Sequence, residues 1–147
     1  MPVSGAIKLA NANVWLALAF SDHLHHAKAK AWFDGQSDGS CAFCRVTQMA
    51  LLRHLTNSKI MGAFVQSQQD AWKNYDKLAQ DPRVVFLSEP PGLEMAFRNF
   101  TQATSPSHAL WTDAYLASFA LETQTQLVTF DQGFSRFAGL DLLAVSN

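Results

Sequence analysis

Residues 112–131 read TDAYLASFALETQTQLVTFD, and two periodicities meet inside them. Over residues 113–122 the apolar positions Leu116, Ala117 and Ala120 share one helical face, behind Thr112, a residue type that caps helix starts. After a short polar break, residues 126–130 (QLVTF) form a compact β-branched and aromatic run, the pattern of a strand. A helix that delivers its chain into an apolar strand is half of a crossover connection, the unit of parallel sheets. Asp131 stands directly past that strand.

The same succession repeats outward. Residues 83–87 (RVVFL) form the clearest strand, followed by a turn at Pro90-Pro91-Gly92 and an amphipathic helix marked by Leu93, Ala96, Phe97 and Phe100. Before that strand, Phe64, Ala71, Trp72, Tyr75 and Leu78 predict a helix over residues 63–79. Nearer the start, residues 7–10 read as a strand ended by Asn11-Ala12-Asn13, and residues 14–20 as an apolar buried helix. Asp22 is placed to cap a second helix, with Leu24, Ala27 and Ala31 on one face and Gly35 as its stop. Residues 41–44 make a second strand, and Thr47 is read as the cap of a helix carrying Gln48, Leu51, Leu52 and Leu55. Residues 140–145 supply a last strand. The alternation predicts the α/β class with a mostly parallel central sheet, and leaves the strand order open.

The chain has 147 residues, nearly half of them apolar, with 11 Phe and 4 Trp. That is enough for one domain around a buried sheet, and residues 1–147 are read as such; general disorder is excluded. A formal charge of -1 argues against indiscriminate coating of nucleic acid, so any phosphate contact must come from a local Lys/Arg patch. The apolar run over residues 14–20 is too short to span a bilayer, so no membrane partner is expected. Lys8 ahead of that run makes a poor secretory leader, because Asn11 and Asn13 interrupt it. Cys41 and Cys44 read as core residues of a short strand rather than half of a zinc site, since no second such pair follows. A cytoplasmic, reduced location is the expectation.

Ligands of open α/β sheets bind beyond the carboxyl ends of the strands. Asn11 follows the first strand, Asp131 follows the strand ending at Phe130, and Asp113 opens the helix before that strand. Asp113 continues the face of Leu116, Ala117 and Ala120, so its carboxylate points toward the sheet, a costly placement without a partner. Singly, Asp113 reads as a first-turn acid favoured by the helix dipole, and Asp131 as a turn residue before Gln132-Gly133. Together they converge on one edge of the sheet, the way hard oxygen ligands for Mg²⁺ are supplied.

Several local motifs, in order and across nearly the whole chain, resemble PIN domains. LANANVWLAL over residues 9–18 is similar to the opening strand and helix of that family. DHLHH at 22–26 with AWF at 31–33, CRVTQMALLRHLTN at 44–57, WTDAYLA at 111–117 and LVTFDQGF at 127–134 look like a subgroup of the VapC toxins of bacterial toxin–antitoxin pairs. The resemblance implies a three-layer α/β/α PIN-like domain and an endoribonuclease dependent on Mg²⁺ or Mn²⁺, acting on RNA such as tRNA or rRNA. It further implies a homodimer and a cognate antitoxin that covers the active site. The matching positions assign metal binding to Asn11, Asp113 and Asp131, and add Gln48 to the catalytic set.

Two positions depart from the family's pattern. Its strand-end Asp appears here as Asn11, by natural divergence or by a deliberate substitution that tames a toxin, and an amide weakens metal binding. Gln48 stands where many PIN domains carry Glu, as a neutral pocket member or a satisfied buried amide. With only two acids left, an inactive PIN module that binds RNA or an antitoxin without cutting is the rival reading. Asn13 is expected to tie the strand-to-helix turn, and Thr129 to orient the acids. His25, His26 and His108 are expected to be packing or surface residues. Arg45, Arg53 and Arg136 are phosphate candidates whose plainer reading is solvated charge.

Overall fold

A computed structural model of the chain describes residues 7–145. Five strands form one sheet: β1 (Lys8–Ala10), β2 (Cys41–Phe43), β3 (Val84–Phe86), β4 (Gln126–Thr129) and β5 (Leu142–Ala144). All pairings are parallel, in the order β3-β2-β1-β4-β5. The seven α-helices among the described residues are α1 (Ala12–Ala19), α2 (His26–Asp34), α3 (Arg45–Leu55), α4 (Ser58–Met61), α5 (Gln68–Ala79), α6 (Leu93–Phe100) and α7 (Leu110–Thr123).

Alternating strand residues feed two separate cores, as the pleat requires. Ala10, Cys41, Phe43 and Val128 meet Val14, Trp15, Phe33, Leu51, Leu55 and Tyr75 on one face. Leu9, Ala42 and Leu127 meet Leu93, Ala114, Ala117 and Phe119 on the other. The result is the three-layer α/β/α arrangement, with α1 to α5 on one side of the sheet and α6 and α7 on the other. Trp15 lies flat on Phe43, ring centroids 4.0 Å apart, so α1 is clamped to the middle of the sheet. Burying each large side chain of this kind is worth about 1.5–3 kcal/mol against exposure.

Several element starts differ from those the sequence predicts. Helix α7 begins at Leu110, so Thr112 lies inside the first turn rather than capping it, and Asp113 remains a first-turn acid. His25, not Asp22, precedes α2, because residues 21–25 form turns that carry the chain away from α1. Cys44 occupies the cap of α3, and Thr47 works from the third helical position: its Oγ1 accepts from the Cys44 amide at 3.0 Å. The helix predicted over residues 63–79 is broken. A 3-10 turn at Gly62–Phe64 ends in extended Val65, and Ser67 starts α5 anew by accepting from the Asp70 amide.

The strand order positions the site. From β1 the chain winds outward to β2 and β3, then returns to lay β4 on the other side of β1. The crevice at the carboxyl ends of β1 and β4 is therefore the topological switch point, where such sheets bind ligands.

Candidate metal centre

Helix α1 starts immediately after β1, and Asn11 makes that possible. Its Oδ1 accepts from the Ala12 amide at 2.7 Å, and its Nδ2 donates to Thr129 Oγ1 at 3.0 Å. Thr129, the last residue of β4, is fully buried. Its hydroxyl oxygen also accepts from Asn13 Nδ2 at 3.2 Å and from the Asp131 amide at 3.0 Å. Asn13 Oδ1 accepts from the Phe130 amide at 3.3 Å. Two asparagines and one threonine thus tie the ends of β1 and β4 together and fix where the chain leaves both strands.

Asp131 caps a 3-10 turn over Gln132–Arg136, with Oδ1 accepting from the Gly133 amide at 2.8 Å. Its Oδ2 takes no hydrogen bond among the described residues. The turn carries Arg136 back toward α7, where its Nη2 donates to Asp113 Oδ2 at 3.1 Å. Arg136 Nη1 donates to the Gly133 carbonyl at 2.7 Å, and the guanidinium lies 4.5 Å over the Phe137 ring. A Cβ at Gly133 would come within 3.0 Å of both Arg136 Nη1 and Asp131 Oδ1. Asp113 therefore holds Arg136 by an ion pair, and Asp131 opens the turn that carries that guanidinium. Asp113 also sits in the first turn of α7, where the helix dipole favours its negative charge.

Gln48 is buried near the start of α3, on the same edge of the sheet as the end of β2. Its Oε1 accepts from Arg45 Nη1 at 2.6 Å, and Arg45 in turn lies 4.8 Å over Phe86. None of its described hydrogen bonds reaches Asn11, Asp113 or Asp131. The structure thus links Asn11 to the Asp131 backbone through Thr129, ties Asp113 to the turn after Asp131 through Arg136, and leaves Gln48 linked to Arg45.

No group of three or more His, Cys, Asp or Glu that could hold a metal occurs among the described residues. The set available at the crevice is two carboxylates and one amide. Asp131 Oδ2 and Asp113 Oδ1 accept no hydrogen bond among the described residues, and Asn11 Oδ1 accepts only one. Such a donor set is hard, all oxygen and open to water. It fits a Mg²⁺-type ion that takes one or two carboxylates and keeps several waters or phosphate oxygens. Cys41 and Cys44 lie elsewhere, fully buried as free thiols, and burial pushes both thiols up from their ordinary range.

His25 stacks on Phe130, ring centroids 4.7 Å apart, which places the histidine loop beside the residue before Asp131. Residue spacing did not signal that contact. His23 titrates below its usual range through burial, with His25 and His26 adding repulsion. The sequence marks Arg136 as a phosphate candidate or a solvated charge and not as a partner of Asp113, because that pairing depends on how the 3-10 turn meets α7.

A family model described as PIN domain matches residues 9–140, a stretch that takes in β2, β3, β4, most of β1 and all three edge positions. The chain also shares 42% identity over 139 residues with Ribonuclease VapC41 of Mycobacterium tuberculosis, covering 91% of this chain and 95% of that protein. The chain belongs to the PIN-domain family, in its VapC branch. Ribonuclease VapC29 of the same organism is 32% identical over 131 residues, covering 89% and 90% of the two chains. Among solved structures, Mycobacterium tuberculosis VapC20, a sarcin-ricin loop cleaving toxin, superposes with a TM-score of 0.67 at 14% identity, covering 91% of this chain and 97% of that one. VapBC2 of Rickettsia felis, bound to a DNA fragment from its promoter, gives 0.64 at 12% identity over 93% and 97%. Those two likenesses are of fold. They match the all-parallel five-stranded sheet of this VapC-family chain.

Proposed function

We propose that this VapC-family chain is an endoribonuclease toxin built for Mg²⁺ or Mn²⁺, with an activity that Asn11 attenuates. The observation that carries this reading is that the turn opened by Asp131 brings Arg136 onto Asp113, beside the crevice between β1 and β4. A divalent ion there would lower the pKa of its bound water and offset charge on a phosphodiester. Asp113 and Asp131 would supply carboxylate oxygens, and Asn11 an amide oxygen. Thr129 holds the Asn11 side chain and the Asp131 backbone in place for that task. Gln48 is a neutral hydrogen-bonding member of the same edge.

The relatives named as ribonucleases support RNA as substrate, and the sarcin-ricin loop cleaved by VapC20 supports a structured RNA such as rRNA or tRNA. The solved VapBC2 complex supports a cognate antitoxin as partner. A homodimer and a cytoplasmic location complete the reading. No helix among the described residues is long and apolar enough to cross a membrane.

A second reading, a PIN module that binds RNA or antitoxin without cutting, is favoured by one feature. The Asn11 amide is already engaged at both ends, by the Ala12 amide and by Thr129. The two are separated by titrating Mg²⁺ against the chain and its Asn11→Asp variant, each with and without Asp131→Ala. Replacing a neutral ligand by a carboxylate is worth about 1–3 kcal/mol once desolvation is subtracted, or roughly ten- to a hundredfold in affinity. Asn11→Asp should bind Mg²⁺ tighter by that factor and cleave RNA, and Asp131→Ala should abolish both gains. Unchanged affinity and no cleavage in Asn11→Asp would remove position 11 from the ligand set and leave the non-cutting module.

A further inference from the structure

We propose that Arg136 is an internal cation that holds the metal's place. Its guanidinium neutralises Asp113 in the metal-free protein and competes with a divalent ion for that carboxylate. The inference rests on the reading above, in which Asp113 and Asp131 are the charged ligands.

One six-residue turn carries the arrangement. Asp131 opens it by accepting from the Gly133 amide, Gly133 passes its carbonyl to Arg136 Nη1, and Arg136 Nη2 closes onto Asp113. The Phe137 ring beneath the guanidinium removes its freedom to swing toward water on that side. The guanidinium supplies Asp113 with the opposite charge that a bound divalent ion would otherwise supply. Among the described residues Arg136 is the one basic side chain with an ion pair or hydrogen bond to either acid. A divalent ion needs the same carboxylate and is repelled by the same guanidinium, so the two compete. Arg136 and Asp113 keep 44% and 35% side-chain exposure, so their pair is screened by water. Arg136 therefore raises the metal concentration at which the site fills by a modest factor, a threshold rather than a lock. Gly133 belongs to the device, because a Cβ there would press on both Arg136 and Asp131.

The test is Mn²⁺ binding followed by electron paramagnetic resonance, on full-length Asn11→Asp protein with and without Arg136→Ala. Arg136→Ala should bind Mn²⁺ roughly two- to fivefold tighter, the worth of a screened ion pair. Arg136→Gln, which keeps an N–H donor for Gly133 while removing the charge, should show the same gain if Arg136→Ala folds poorly. The gain should vanish when Asp113→Asn is added, since there is then no carboxylate to release. Unchanged or weaker Mn²⁺ binding without Arg136 would overturn the proposal. So would a gain of full size that persists in Asp113→Asn, which would mark a general field effect. If Asn11→Asp binds no Mn²⁺ with or without Arg136, the metal-site reading falls and takes this one with it. Binding that ignores Arg136 leaves the site standing and removes only the competition.

Discussion

Thr129 bears no charge, yet three donors from two parts of the chain converge on its hydroxyl: Asn11 Nδ2, Asn13 Nδ2 and the Asp131 amide. Removing that oxygen at constant shape would leave buried donors without an acceptor, a cost of about 1–3 kcal/mol. Thr129→Val should therefore lower the free energy of unfolding by that amount in urea titrations, while Thr129→Ser should lose less than half as much. An unchanged midpoint in Thr129→Val would mean that water replaces the hydroxyl and that the ends of β1 and β4 are not tied through it. The sequence alone placed Thr129 beside the acids, but its acceptor role follows from the pairing of β4 with β1, which no local pattern encodes. Asn11 shows the converse. Its position after an apolar strand and before an apolar helix was legible directly, because both neighbours are local patterns.

At the scale of elements, the sheet edge is held by charged contacts centred on Arg83. Asp81 accepts from Arg83 Nε at 2.9 Å and from Arg83 Nη2 at 2.8 Å, just ahead of β3. Arg83 Nη1 donates to the Phe33 carbonyl at 3.1 Å, and its guanidinium lies 3.9 Å over the Phe33 ring, so the end of α2 is bound to the edge strand. The Arg83 side-chain bonds, with help from its backbone amide, hold the Asp81 carboxyl down at about 2. A depressed carboxylate stabilises the fold above its unfolded value near pH 4, and the contribution drains away as pH falls toward 2. Asp81→Asn should cost about 1–2 kcal/mol at pH 7, less than the full shift because both side chains are about a quarter exposed. The same variant should flatten the stability profile between pH 4 and 2; an unaltered slope would show that the pair survives in the unfolded chain. Helix α5 offers a simpler check. Ser67→Ala removes the cap that restarts the helix after extended Val65, and the melting curve should register a loss of about 1 kcal/mol. Periodicity alone ran this helix back to residue 63, since Phe64 keeps the helical spacing. The cap at Ser67 was a signal present in the sequence and overridden by that apolar pattern.

Across the whole molecule, the crevice and the outer surface make different demands. Phe64 and Trp72 are 58% and 48% exposed, whereas Tyr75 is buried against Phe43 and Phe97 packs among the residues of α7. The proposed homodimer has these two exposed rings available for burial. Light scattering at tens of micromolar should then report twice the 16.2 kDa chain mass, and Trp72→Glu should shift it toward the single mass. A wild-type monomer under those conditions would strike the dimer from the reading.

The sequence by itself determined the alternation of strands and helices, the α/β class and the three edge positions. Each rests on contacts between residues close in the chain: a helical stripe, an apolar run, a polar residue directly after it. It also carried the family motifs from residue 9 to residue 134. What the tertiary structure alone decided is the order β3-β2-β1-β4-β5, and with it the switch point between β1 and β4. Strand order is a choice among pairings of similar apolar edges far apart in sequence, and loop closure weakly discriminates among them. The packing of two side-chain layers makes that choice. Only after it is made do Asn11 and Thr129 become hydrogen-bonded neighbours, and only then does the turn opened by Asp131 carry Arg136 onto Asp113.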